Sequence, residues 1–129
     1  MRIETYFLQF QHEIDVSPLV DISSLRFERR GESLGFIRGE LTLIDNSVLH
    51  VREYFDTAGE ILRETYAYHY INASQSFVFR YDNADHHKKR NLANHHHHKH
   101  DGCEENIVAS TAPTLADVLD EISLLIQLD

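Results

Sequence analysis

The chain has 129 residues, a formal net charge of −9 and a single cysteine, Cys103. That length suits one domain able to bury roughly two-thirds of its unfolded surface. The lone cysteine excludes an internal disulfide and a cysteine-rich zinc site, and the acidic balance argues against generic polyanion binding. No apolar run is long enough to cross a bilayer and Met1-Arg2-Ile3-Glu4 opens no signal peptide, so the expected location is the cytoplasm, with no membrane partner.

In chain order, Ile3, Tyr6, Phe7, Phe10 and Ile14 recur at helical spacing until Ser17-Pro18 breaks the pattern. From Ser24 the period becomes two. Leu25–Phe27, Phe36–Ile44, Val48–Phe55, Ile61–Ile71 and Gln75–Tyr81 read as strands, separated by turn signals such as Asp45-Asn46-Ser47 and Asp56–Gly59. Ile107–Ala109 adds a short sixth. Short turns between successive strands imply an antiparallel meander, because parallel neighbours need long crossovers. After Pro113, Thr114 and Asp117 resemble a capping box ahead of an apolar helix face of Leu115, Val118, Leu119, Ile122, Leu125 and Ile126. The predicted fold is α+β: an antiparallel five- to six-stranded meander sheet flanked by an N-terminal and a C-terminal helix, in two layers, as one domain over residues 1–129.

Only the stretch from about 82 to 105 lacks a periodic pattern, and a loop of that length in a compact domain is usually functional or disordered. It is compositionally distinct. Between Phe79 and His100 five cations (Arg80, Lys88, Lys89, Arg90, Lys99) face two acids (Asp82, Asp85), a window of +3 that leaves −12 on the rest. Seven of the ten histidines, His86, His87, His95–His98 and His100, lie in the same window and gain charge near neutral pH. If the returning segment is extended, alternate imidazoles such as His98 and His100 share a face.

Two chemistries use such a set. In metal-independent RNA cleavage a neutral imidazole takes the proton of a ribose 2′-hydroxyl, a protonated one supplies the leaving oxygen, and Arg80 or Lys99 offsets charge on the phosphate. In the alternative, His86, His98, His100 and Asp82 ligate a divalent metal such as zinc, nickel or magnesium. The plainer readings are a solvated low-complexity loop or a histidine tag; an internal tract interrupted by Lys99 and followed by further structure weighs against the tag.

Individual residues carry the same tension. Arg80 serves equally as a structural partner of Asp82 or Glu53. Glu53 alternates with Leu49, Val51 and Phe55, a costly place for a carboxylate, and Arg80 is its expected partner. Tyr66, Tyr68 and Tyr70 share one strand face, where packing outweighs base stacking. Lys88-Lys89-Arg90 is either a solvated run or a steering patch for phosphates, and Cys103 carries no nucleophile signature.

Phe79-Arg80-Tyr81-Asp82-Asn83-Ala84 with His86-His87, then His97-His98-Lys99-His100, resembles the TumE toxin family, as do Leu49-His50-Val51-Arg52-Glu53 and Tyr68-His69-Tyr70 upstream. The resemblance implies a toxin of a prokaryotic toxin–antitoxin pair whose cognate antitoxin is a helix-turn-helix protein. It places the functional positions at Glu53, Arg80, Asp82, Asn83, His86, His87, His98 and His100. Asp85 departs from the family pattern, where proline is expected before the paired histidines.

The resulting expectation is an RNA-cleaving toxin without a cofactor. The alternatives are a non-catalytic metal-binding or interaction protein, and a nucleotidyltransferase-type toxin with a metal held by Asp82 and Glu53. The sequence leaves the RNA preference and the oligomeric state open, a homo-oligomer included.

Overall fold

The computed structural model describes residues 1–83 and 97–126. Helix α1 (Ile3–Asp15) leads into strands β1 (Val20–Arg29), β2 (Leu34–Leu43), β3 (Val48–Asp56), β4 (Leu62–Ile71), β5 (Phe77–Asp82), β6 (His98–Asp101) and β7 (Ile107–Ala109), followed by helix α2 (Leu115–Leu125). All seven strands form one antiparallel sheet in sequence order. Two layers and a meander agree with the alternation of the sequence; the strand count does not. The added strand, β6, falls inside the stretch assigned to a loop, because His98-Lys99-His100-Asp101 has no apolar residue to register as a period-two signal.

Alternation gives the sheet two faces of different chemistry. Ile37, Leu41, Leu49, Val51, Phe55, Tyr68 and Phe79 form the buried face. Both helices cover it: Ile3, Phe10 and Ile14 of α1 and Leu115, Val118, Leu119 and Ile122 of α2 join the same core. Tyr6 packs on Phe55 with ring centroids 4.2 Å apart. Phe55 also occupies the space beside Gly35, where a Cβ would stand 2.4 Å from its ring, so β2 needs a glycine under that ring. The capping box forms as expected: Asp117 N–H donates to Thr114 Oγ1 at 3.3 Å and Thr114 N–H to Asp117 Oδ2 at 2.9 Å.

Turn chemistry sets the register of the meander. Asn46 takes φ = 69° between β2 and β3, where the Asp45 carboxylate accepts from Ser47 N–H at 3.0 Å. Between β4 and β5, the Asn72 side chain accepts from the N–H groups of Ser74 and Ser76, each at 3.0 Å. Among the described residues, no helix is long and apolar enough to cross a membrane, and no element covers the second face of the sheet.

Candidate functional site

The pairing of β5 with β6 sets Asp82 opposite His98 and Arg80 opposite His100, all on the face away from the helices. Asp82 is the hub. Its Oδ1 lies 2.5 Å from His98 Nε2, and its Oδ2 lies 3.0 Å from Arg80 Nε and 3.4 Å from His100 Nε2. Arg80 Nη2 is itself 3.1 Å from His100 Nε2, and Arg80 Nη1 pairs with Glu104. Asp82, His98 and His100 are buried, and Arg80 is half-buried.

One tautomer follows from donor logic. His100 Nδ1 is 2.7 Å from the Glu104 carbonyl oxygen, which can only accept, so Nδ1 carries the hydrogen. In the neutral ring Nε2 is therefore the basic nitrogen, receiving a hydrogen bond from Arg80 and facing Asp82. An Asp–His pair beside a second imidazole and a guanidinium has the groups required for proton transfer at a phosphodiester. Asp82, His98 and His100 also offer three ligand atoms within 4.8 Å of one another, which fits a divalent ion. The Arg80 guanidinium already bonds two of the three and places a fixed cation where the ion's charge would sit.

Other expected members lie elsewhere. Asn83 ties strand to strand: its Oδ1 accepts from Tyr66 N–H and its Nδ2 donates to the Glu64 carbonyl, each at 3.0 Å. His86 and His87, with Asp85, Lys88, Lys89 and Arg90, lie outside the described residues.

Glu53 is on the opposite face, beneath the helices. It accepts from the hydroxyls of Tyr6 and Tyr68, and its cation is Arg63, with Nη1 at 4.0 Å, rather than the expected Arg80. Strand alternation explains the correction, because Glu53 follows Arg52 and so points away from the face that carries Arg80. For the same reason Asp82 and Glu53 cannot share a metal ion. Burial pushes the Glu53 carboxyl up, against the pull of Tyr6, Tyr68 and Arg63. Tyr66, Tyr68 and Tyr70 are buried, as packing residues should be. Burial raises the Tyr66 phenol to about 12, so it stays protonated beside His97 Nδ1 at 3.0 Å.

Residues without a motif signal complete the open face. The ladder aligns Glu40, His50, His69, Arg80 and His100 in one transverse row, and Arg26, Arg38, Arg52, Ala67, Asp82 and His98 in the next. Of these rows, Arg38, Arg52, His50, His69, Arg80 and Asp82 line a groove of ≈ 650 Å³. Burial lowers the His69 imidazole, helped by the charges of Arg80 and His50. The alternation of His50 with Arg52 was legible in the sequence; their alignment with Arg80 and Asp82, two strands away, was not.

The family model described as toxin TumE matches residues 9–126, nearly the whole chain. No curated protein and no solved structure matches.

Proposed function

We propose a function from one premise: this chain belongs to the TumE toxin family. Its toxic activity is endonucleolytic cleavage of RNA by imidazole acid–base chemistry, held in check by a cognate antitoxin of the helix-turn-helix type. The observation that carries this reading is the Asp82 hub, which gathers His98, His100 and Arg80 on one face of the sheet.

In the reaction, the ribose 2′-oxygen attacks the adjacent phosphorus as a neutral imidazole takes its proton. His100 Nε2 suits that role once the Arg80 guanidinium turns from it to the phosphate, since Nδ1 is tied to Glu104. The bond to the 5′-oxygen breaks as an imidazolium protonates it, leaving a 2′,3′-cyclic phosphate and a 5′-hydroxyl. His98, paired with Asp82, suits the imidazolium. Arg80 opposes the charge gathering on the phosphate. His86 and His87 are the remaining candidates for this pair. Because His98 and His100 are buried, the reading requires substrate to gain access to them.

Labelled total RNA incubated with wild type and His98→Ala, with and without EDTA, tests it. Cleavage that survives EDTA, leaves cyclic phosphate ends and is lost in the variant is expected, with a bell-shaped pH–rate profile. The convergence of Asp82, His98 and His100 favours one second reading, a metal site. Cleavage abolished by EDTA, or zinc or nickel bound with an affinity that rises steadily with pH, would replace the first reading with it.

A further inference from the structure

Arg26, Arg38 and Arg52 stand directly opposite one another on three adjacent strands. Like charges facing across a ladder destabilise a sheet, and the rest of the face relieves such charge. Arg26 pairs with Glu28, His50 with Glu40 and Arg80 with Asp82. Arg38 and Arg52 are exposed, and among the described residues neither has an ion pair. Two uncompensated guanidinium groups, side by side in a protein of net charge −9, are an unfavourable arrangement for the isolated fold and a favourable one for a bound anion.

Aromatic rings flank them. Phe36 faces Tyr54 in the neighbouring row, with centroids 6.4 Å apart and Arg30 4.9 Å from the Phe36 ring centre. On the other side of the arginines, His50 and His69 lie 6.0 Å apart and His69 packs on Phe77 at 5.0 Å. A β-sheet face that interleaves cations with flat rings is a surface for single-stranded nucleic acid, whose phosphates take the guanidinium forks while its bases stack. At about 4.8 Å per strand, the row from Arg26 on β1 to His98 on β6 runs roughly 24 Å, long enough for several nucleotides.

We propose that the open face of β1–β5 is a binding track for single-stranded RNA: Arg38 and Arg52 hold backbone phosphates, Phe36 and Tyr54 stack bases, and the strand is led toward Asp82, His98 and His100. The proposal deepens the ribonuclease reading and rests on it for the identity of the polyanion. An acidic protein segment would take the arginines but has no use for the aromatic rows, so RNA is the occupant that explains both. Between Arg38 and Glu40, Gly39 takes a φ of 150°, where side chains are disfavoured, and a Cβ there would stand 2.1 Å from the Ser24 carbonyl oxygen, so the close approach of β1 and β2 beside Arg38 requires a glycine.

The test is fluorescence anisotropy of the full chain with a labelled, 2′-O-methylated oligoribonucleotide of about twelve nucleotides, near the upper site size of such surfaces. This probe lacks the nucleophilic hydroxyl, so binding is read whether or not the protein cleaves RNA, and failure of the ribonuclease reading would leave the measurement intact. Wild type should bind with a steep salt dependence. The double variant Arg38→Ala/Arg52→Ala should bind at least about tenfold more weakly and flatten the log–log salt slope by about 1.4, two single-strand contacts. Should that variant misfold, Arg38→Lys/Arg52→Lys keeps the charge but loses the bidentate fork, and an intermediate loss is expected. Unchanged binding in a folded double variant, or no binding by wild type, would overturn the track. So would poly-glutamate binding through these arginines while the RNA probe does not bind, which would assign the face to an acidic protein partner.

Discussion

Each face of the sheet buries a carboxylate, and the two solve the problem differently. Glu53, under the helices, is held by two phenols and a cation 4.0 Å away, and burial raises its pKa. Asp82, on the open face, sits in a ring of groups that are or become cationic: Arg80, His98 and His100, all within 3.4 Å. The first arrangement joins the two layers, since Tyr6 belongs to α1 and Arg63 also donates to the Pro113 carbonyl ahead of α2 at 2.6 Å. The second joins nothing across layers; it collects proton-carrying and charge-stabilising groups beside a groove. A buried acid is thus no mark of a reaction centre until its partners are known.

Replacing one arginine on each face gives the largest contrast. Arg63→Ala should lower the free energy of unfolding in urea by about 3–5 kcal/mol, because Glu53 loses its cation while remaining buried. Arg38→Ala should change it by no more than about 0.5 kcal/mol, or raise it, since a like-charged neighbour of Arg52 is removed. Equal losses at the two positions would break the contrast.

A subtler difference lies in pH dependence. The folded pKa of Glu53 is raised above its ordinary 4.5, so its contribution to stability is complete below that value and is lost as pH rises through the folded pKa. Thermal midpoints of Glu53→Gln should therefore decline less than those of wild type as pH rises from about 4 to 8; parallel curves would show that Glu53 does not titrate in that interval. His69 behaves in the opposite sense and, being half-buried, more weakly. Its folded pKa is lowered from 6.5, so its contribution is present above that value and is lost as pH falls through the folded pKa. His69→Gln should remove a small acid-side decline, measurable in the same melting series.

The candidate site was legible only in pieces. Arg80, Asp82, His98 and His100 stood out by motif and by local charge, and their convergence bears out the extended return of the chain. Glu53 stood out for a sound reason, a carboxylate among apolar residues, but its partner was misassigned. The choice between Arg63 and Arg80 depends on which face each strand presents, and Arg63 reaches Glu53 across a register irregularity between Tyr54 and Phe55. Arg38 had no motif at all. Its meaning comes from Arg52 opposite and from its having no ion pair among the described residues.

By itself the sequence determined what is local: helix α1 and the capping box of α2, the turns at Asp45–Ser47 and after Ile71, and the period-two partition that sends Arg52 and Glu53 to opposite faces. Tertiary structure alone decided the transverse rows, the strand β6 built from His98–Asp101, and the partners of both buried acids. Side-chain alternation is a property of one strand and is written along it. Which residues stand opposite one another depends on ladder register, set by turns, bulges and packing distributed over the whole sheet.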